Sequence, residues 1–256
     1  MDSIYPVLSG ALAQEKRLEI ITNNLANVGT TGFKKDVAVF EGLTPDIPPT
    51  AGTATQPLNP LIGADATFGR LKAVSTDFSS GPIQVTGEPL DLAIQGEGFF
   101  AVQTPAGVRY TRNGHFTLDA GGQLVTMRGD AVLGSAGPIN LPPGVVAIDT
   151  SGAISVKGAE AGAAVVEIDL LPIFTVSNPE NMKKVGAGLF EVVGGSAVPS
   201  LEGRIQQGAI EGSNVNPVEE MVAMVEVMRL YEAAQKAMQT ADEIAAKAAN
   251  EVGVIR

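Results

Sequence analysis

Both ends of this chain carry a heptad-spaced apolar stripe, and the long middle between them carries none. At the first end Ile4, Val7, Ala11, Gln14, Leu18, Ile21 and Leu25 recur at alternating steps of three and four, with polar Gln14 as the one break. That spacing places them on one helical face. At the other end Met221, Met224, Met228, Tyr231, Gln235, Met238, Asp242, Ala245, Ala249 and Val252 do the same. Helices of roughly 25 and 34 residues are about 37 and 50 Å long at 1.5 Å per residue. The second is too long for a small domain to cover. Its apolar face needs another helix, most economically the helix at the far end of the same chain and those of further copies.

Local signals bound both helices. Ser3 is a candidate N-cap, Pro6 falls in the first turn, where its missing N–H had no helical partner, and Gly29 is a C-cap glycine. Asn216-Pro217-Val218-Glu219 opens the second helix with a capping side chain, a proline at the first helical position and a glutamate that reaches back. Glu219 and Glu220 are adjacent on that helix and so point different ways. Their place in its first turn fits dipole stabilisation better than paired acid–base chemistry.

Between the helices the texture changes twice. Residues 37–80 mix Pro45, Pro48, Pro49, Pro57 and Pro60 with Thr, Ala and Gly, and predict an extended connection with one short strand around Phe68 to Val74. Residues 81–212 read as an all-β domain, because short apolar or alternating runs are separated by turn signals. The expected strands are Leu90–Ile94, Phe99–Gln103, Val108–Thr111, His115–Leu118, Gln123–Met127, Val145–Asp149, Ala153–Val156, Val165–Val176 and Leu189–Val193. Asn113-Gly114 and Gly121-Gly122 are expected hairpin turns, since asparagine and glycine tolerate the positive φ such turns require. The fold class is α+β, with N- and C-terminal helices pairing as a coiled coil and with a central all-β domain. The expected parts are 1–36 and 213–256 as an axial helical core, 37–80 as the connection and 81–212 as the β domain.

Composition removes several functions. Seventeen basic against 28 acidic residues give a net charge of −11, and no cluster of Lys or Arg faces a run of phosphates, so nucleic acid is not an expected partner. With no cysteine, thiolate metal sites, thiol nucleophiles and disulfides are excluded. The first residues lack the basic region, apolar run and cleavage site of a secretory signal, and no stretch approaches the ~18 apolar residues of a membrane span.

Catalytic chemistry has little material. His115 is the only histidine, and it reads as an exposed strand residue after a turn rather than as a base or a metal ligand. Gly96-Glu97-Gly98-Phe99-Phe100 lacks the third glycine and the following helix of a phosphate-binding loop, and reads as a turn. Asn23, Asn24 and Asn27 fit either a frayed helix end or amides that fix register between subunits. Met221, Met224, Met228 and Met238 are adaptable core filler, which also suits packing in several surroundings. No cofactor, metal or catalytic residue is expected.

Asn23-Asn24-Leu25-Ala26-Asn27 with Thr31-Gly32-Phe33-Lys34, then Pro89 to Phe100, then Tyr110-Thr111-Arg112-Asn113-Gly114, then Gly212-Ser213-Asn214-Val215-Asn216 run collinearly along nearly the whole chain. Together they resemble the bacterial flagellar rod and hook proteins. The chain is too short for a hook protein with extra outer domains. Ile4-Tyr5 through Ser9-Gly10-Ala11, and Val132-Leu133-Gly134 leading to Gly137-Pro138-Ile139, look more like the proximal rod subunit that precedes the distal rod. The resemblance implies a non-enzymatic structural subunit, exported by the flagellar type III apparatus without a cleaved signal and placed in the periplasmic rod of the basal body. Its partners would be copies of itself and neighbouring rod proteins.

The expected assembly interface is Ile4, Val7, Leu18, Ile21, Asn24, Leu25 and Asn27 on the first helix, facing Met221, Met224, Val225, Met228, Tyr231 and Met238 on the second. Two other readings are a secreted β-domain binding module, which calls for an exposed aromatic patch although aromatics are 5% of residues, and a wall-cleaving enzyme, which calls for a carboxylate pair among acids such as Glu88, Asp91 and Glu97.

Overall fold

The computed structural model describes residues 4–42, 69–158, 164–200 and 202–253. The chain divides into two compact units, one of residues 1–25, 36–75 and 217–256 and the other of residues 26–35 and 76–216. These boundaries differ from a simple succession of segments. The chain passes from the first unit to the second and back twice, so residues just after the first helix belong with the β structure.

The first unit holds the helix α1, Ile4–Ala26, and the helix α2, Pro217–Gly253. Helix α2 begins at Pro217, where the cap and proline of the sequence place it; Ser3, the expected cap of α1, lies outside the described residues. Strands Asp36–Gly42 and Gly69–Thr76 pair with each other in a two-stranded sheet, where one short strand was expected. The proline-rich part of the expected connection, 43–68, lies outside the described residues.

In the second unit a seven-stranded sheet runs in the spatial order Met182–Gly186, Leu189–Val192, Gly107–Thr111, Phe100–Thr104, Ala131–Val132, Leu124–Thr126, Phe116–Leu118. Val145–Ile148, Ala153–Lys157 and Val165–Leu170 form a three-stranded antiparallel sheet. Short pairs complete the unit, among them Leu92–Gln95 with Arg204–Gln207 and Ile83–Val85 with Ala209–Glu211. The core between these elements contains Leu92, Ile94, Phe100, Val102, Leu124, Val132, Ile139, Ile154, Leu171 and Ile205, all nearly or fully buried. Each such side chain contributes roughly 1.5–3 kcal/mol of burial. A second cluster is aromatic. Phe78, Phe99 and Phe190 form a triangle with ring centroids 5.4–5.6 Å apart.

Two of three local expectations change. Gly121-Gly122 does sit in a hairpin, between Phe116–Leu118 and Leu124–Thr126, with Gly122 at φ +80°. Asn113-Gly114 does not, because the strands on either side of it, Gly107–Thr111 and Phe116–Leu118, are separated by three other strands of the seven-stranded sheet. Gly114 is there for close approach instead: its carbonyl accepts from the Leu92 N–H at 2.9 Å, and an added Cβ would run into the Leu92 carbonyl. The run expected from Val165 to Val176 breaks into Val165–Leu170 and Phe174–Thr175. Pro172 lies in the gap and cannot donate to a ladder.

Candidate functional site

Helix α2 has two apolar faces. At 3.6 residues per turn one side collects Glu220, Ala223, Met224, Val227, Tyr231, Ala234 and Met238, of which Val227 is fully buried and the others half-buried. Another side collects Val218, Met221, Val222, Val225 and Met228, each 46–63% exposed. The expected stripe ran between these faces. The structure therefore divides it: Met224, Tyr231 and Met238 are on the covered side, while Met221, Val225 and Met228 stand in the open.

Helix α1 is simpler. Ile21 is buried and Leu18 and Leu25 are half-buried, whereas Leu12, Glu15, Lys16, Glu19 and Thr22 are exposed. Side chains at Ile4 and Val7 lie outside the described residues. Asn24 is 2% exposed, and its amide is engaged within its own chain: Nδ2 donates to the Asp36 carbonyl at 2.9 Å, and Oδ1 accepts from the Asp36 N–H at 2.9 Å. Nδ2 also reaches Glu220 Oε1 on α2 at 3.5 Å, so both helices of this unit meet at one amide. Asn27 is half-buried and lies in the turn after α1, where its Oδ1 accepts from Thr30 Oγ1 at 3.1 Å.

The second unit contains a polar centre that the sequence does not announce. Lys34, Arg112 and Glu211 are each 1–3% exposed. Lys34 Nζ donates to Glu211 Oε1 at 2.7 Å and to the Ser79 carbonyl at 2.7 Å. Arg112 Nε donates to Glu211 Oε2, and its remaining nitrogens gather the carbonyls of Ile94 at 3.1 Å, Gly96 at 2.5 Å and Gly98. The Gly81 N–H donates to Glu211 Oε1 at 2.8 Å. One carboxylate thus serves two cations and an amide. Burial alone would push the Glu211 carboxyl up, but the Arg112 charge and the bonds from Lys34 and Arg112 together hold it below its ordinary value. Burial pushes the Lys34 ammonium down against the pull of Glu211, and Arg112 adds to that push.

Asn214 knits the same region. Its Oδ1 accepts from the Lys35 N–H at 2.7 Å, and its Nδ2 donates to the carbonyls of Asp77 at 2.9 Å and Ser79 at 3.2 Å. Gly32 N–H donates to the Glu211 carbonyl at 2.7 Å, and Lys184 lies 4.3 Å over the Phe33 ring. The segment that follows α1 and the segment that precedes α2 are therefore fastened side by side. The loop Gly96-Glu97-Gly98 is shaped by the guanidinium beneath it rather than by a phosphate above it, with both glycines at positive φ. Nothing in the sequence marks Glu211 as a partner for Lys34 and Arg112, since each is a common charged residue far from the others.

The acids named as a possible wall-cleaving pair are otherwise placed. Asp91 is buried and its Oδ1 lies 2.5 Å from Nδ1 of His115, while Glu88 and Glu97 are exposed. Among the described residues no group of three or more His, Cys, Asp or Glu is arranged to hold a metal ion. A cleft of about 390 Å³ beside the polar centre is lined by Phe78, Phe99 and Met182 together with Lys34 and Arg112, whose charges already face Glu211.

Three regions match models of flagellar proteins: residues 4–34 a flagella basal body rod protein model, residues 93–156 the D1 domain of the flagellar hook protein FlgE/F/G, and residues 206–251 the C-terminal region of flagellar basal body rod FlgEFG proteins. The chain is similar to the flagellar basal-body rod protein FlgG of Borreliella burgdorferi, with 36% identity over 95% of this chain and 96% of that one. It is also similar to the flagellar basal-body rod protein FlgF of Caulobacter vibrioides, with 34% identity over 99% of both chains. The chain belongs to the flagellar basal-body rod protein family. The three matched regions hold, in turn, α1 with Lys34, the loop that Arg112 gathers with Arg112 itself, and Glu211 with Asn214 and most of α2. This rod-family chain is a structural subunit of the flagellar basal body, and the family assembles with other rod proteins. Among its described residues no helix is long and apolar enough to cross a membrane.

Proposed function

We propose that this subunit enters the rod through its terminal helices, with α1 and α2 of one chain pairing as a coiled coil and the open stripe of α2 packing on helices of adjacent copies. The observation that carries this reading is the two-sidedness of α2, which buries Val227 while leaving Val218, Met221, Val222, Val225 and Met228 exposed along a single stripe. A contiguous apolar stripe of large side chains is costly to leave in water, and burial of each against a neighbour is worth roughly 1.5–3 kcal/mol. Many such contacts in parallel make a shaft that resists shear and passes torque to the hook. Contacts between copies that do not close into a ring extend as a helical filament.

The subunit reaches this place unfolded, through the flagellar type III export apparatus and without a cleaved signal. It does no chemistry there. Its position is in the proximal part of the periplasmic rod, a reading supported by the residues from Ser9-Gly10-Ala11 and Val132-Leu133-Gly134. The test is an in-frame deletion imaged by electron cryotomography, with a complemented strain beside it. A rod that stops short inside the periplasm is the expected result, and the height of the stop reports proximal or distal place. A complete rod and hook in the deletion strain would overturn the reading.

A further inference from the structure

The polar centre of the second unit carries one cation more than its shared carboxylate can match. Glu211 already has Arg112 on Oε2 and the Gly81 N–H on Oε1, at 2.8 Å, when Lys34 arrives. The carbonyl that Lys34 also binds, that of Ser79, has a second donor in Asn214 Nδ2 at 3.2 Å. Taking Lys34 away would therefore leave no partner unsatisfied and would make the buried Arg112–Glu211 pair electrically neutral. A fully buried ammonium pays heavily for leaving water, and a buried ion pair is often no better for stability than an apolar side chain of similar volume. The downward push on the Lys34 proton affinity agrees that burial outweighs the attraction of Glu211.

We infer that Lys34 is a positioning residue for assembly: its ammonium seats the segment Ala26–Lys35 beside Glu211–Val215 in one register, at some expense in stability. Apolar packing alone does not set that register, because it is non-directional. A charge that must find one carboxylate and one carbonyl cannot slide. Register matters here because α1 runs into one of these segments and α2 runs out of the other, so a slip displaces the end of α1 against the start of α2. This inference rests on the rod reading for its biological consequence but not for its structural part.

The test is Lys34→Met, which keeps an unbranched side chain in the same channel. In the purified full chain the thermal midpoint should be unchanged or higher. The amides of Gly32, Lys35 and Asp77, which donate to the Glu211 carbonyl, Asn214 Oδ1 and the Lys35 carbonyl, should exchange at least about tenfold faster than in the parent. In a deletion strain, the variant should fail to restore swimming where the parent gene succeeds. A midpoint lowered by more than about 4 °C would overturn the inference by showing that the ammonium holds the unit together. Unchanged exchange at these amides, or full swimming with the variant, would overturn it as well. If the deletion strain itself swims, the rod reading has failed, and exchange with melting alone decides the role of Lys34.

Discussion

The side-chain amide of Asn24 closes on the peptide groups of Asp36 from both ends, with Nδ2 to the carbonyl and the N–H to Oδ1, each at 2.9 Å. A strand neighbour would bond a residue in the same way. The amide therefore ties the last turn of α1 to the start of the strand Asp36–Gly42, twelve positions on.

Asn24→Ala should cost about 1–3 kcal/mol, because it removes both hydrogen bonds that the buried Asn24 amide makes with the Asp36 N–H and carbonyl. Asn24→Asp should cost at least as much, since it keeps the acceptor, loses the donor and sets a second carboxylate toward Glu220. Urea unfolding followed by helical circular dichroism measures both. Equal stability of parent and Asn24→Ala would contradict the geometry.

Gly32 sits at φ +68°, and a Cβ there would collide with the Asn113 amide and the Arg112 backbone. Gly129 has a similar φ of +87° with nothing near its Cβ position. Gly129→Ala should cost only the conformational strain of roughly 1–2 kcal/mol, and Gly32→Ala distinctly more. Matched denaturation curves of the two variants separate strain from collision.

Acid should loosen the second unit through Glu211. Its carboxyl ionises more readily in the folded chain than at its ordinary value of 4.5, so the folded state holds fewer protons there than the unfolded one. The stability it contributes is present above the ordinary value and is lost as pH falls through the lower folded value. Glu211→Gln should flatten that part of the pH–stability profile. A slope as steep as that of the parent would place the acid sensitivity elsewhere.

Val227 and Met228 are neighbours in sequence with opposite surroundings, the first fully buried and the second 46% exposed. Val227→Asp should destabilise the helical unit by about 3–5 kcal/mol, since a carboxylate is buried without a partner. Met228→Asp should leave the isolated protein within about 0.5 kcal/mol of the parent and still abolish swimming. Normal swimming in Met228→Asp would remove the open stripe of α2 from the assembly surface.

Periodicity and punctuation made the helices legible. Three-four spacing, Pro217 and Pro6 locate α1 and α2 because these signals act within a few residues of one another. Most strands were legible for the same reason. Strands such as Arg204–Gln207 and Ile83–Val85 were not, because polar or very short runs become strands only when Leu92–Gln95 and Ala209–Glu211 lie beside them.

What the sequence determined by itself is the order of parts and the family, since caps, periods and collinear motifs are local. Which face of α2 is covered was left to tertiary structure, because that helix is apolar on more than one side and its partner chooses between them. The meeting of Lys34 with Glu211 was also decided there, across 177 positions of chain. No local rule pairs charges at such a distance. Only the fold brings them out of water together, with Lys34 seated on a carboxylate that Arg112 already balances.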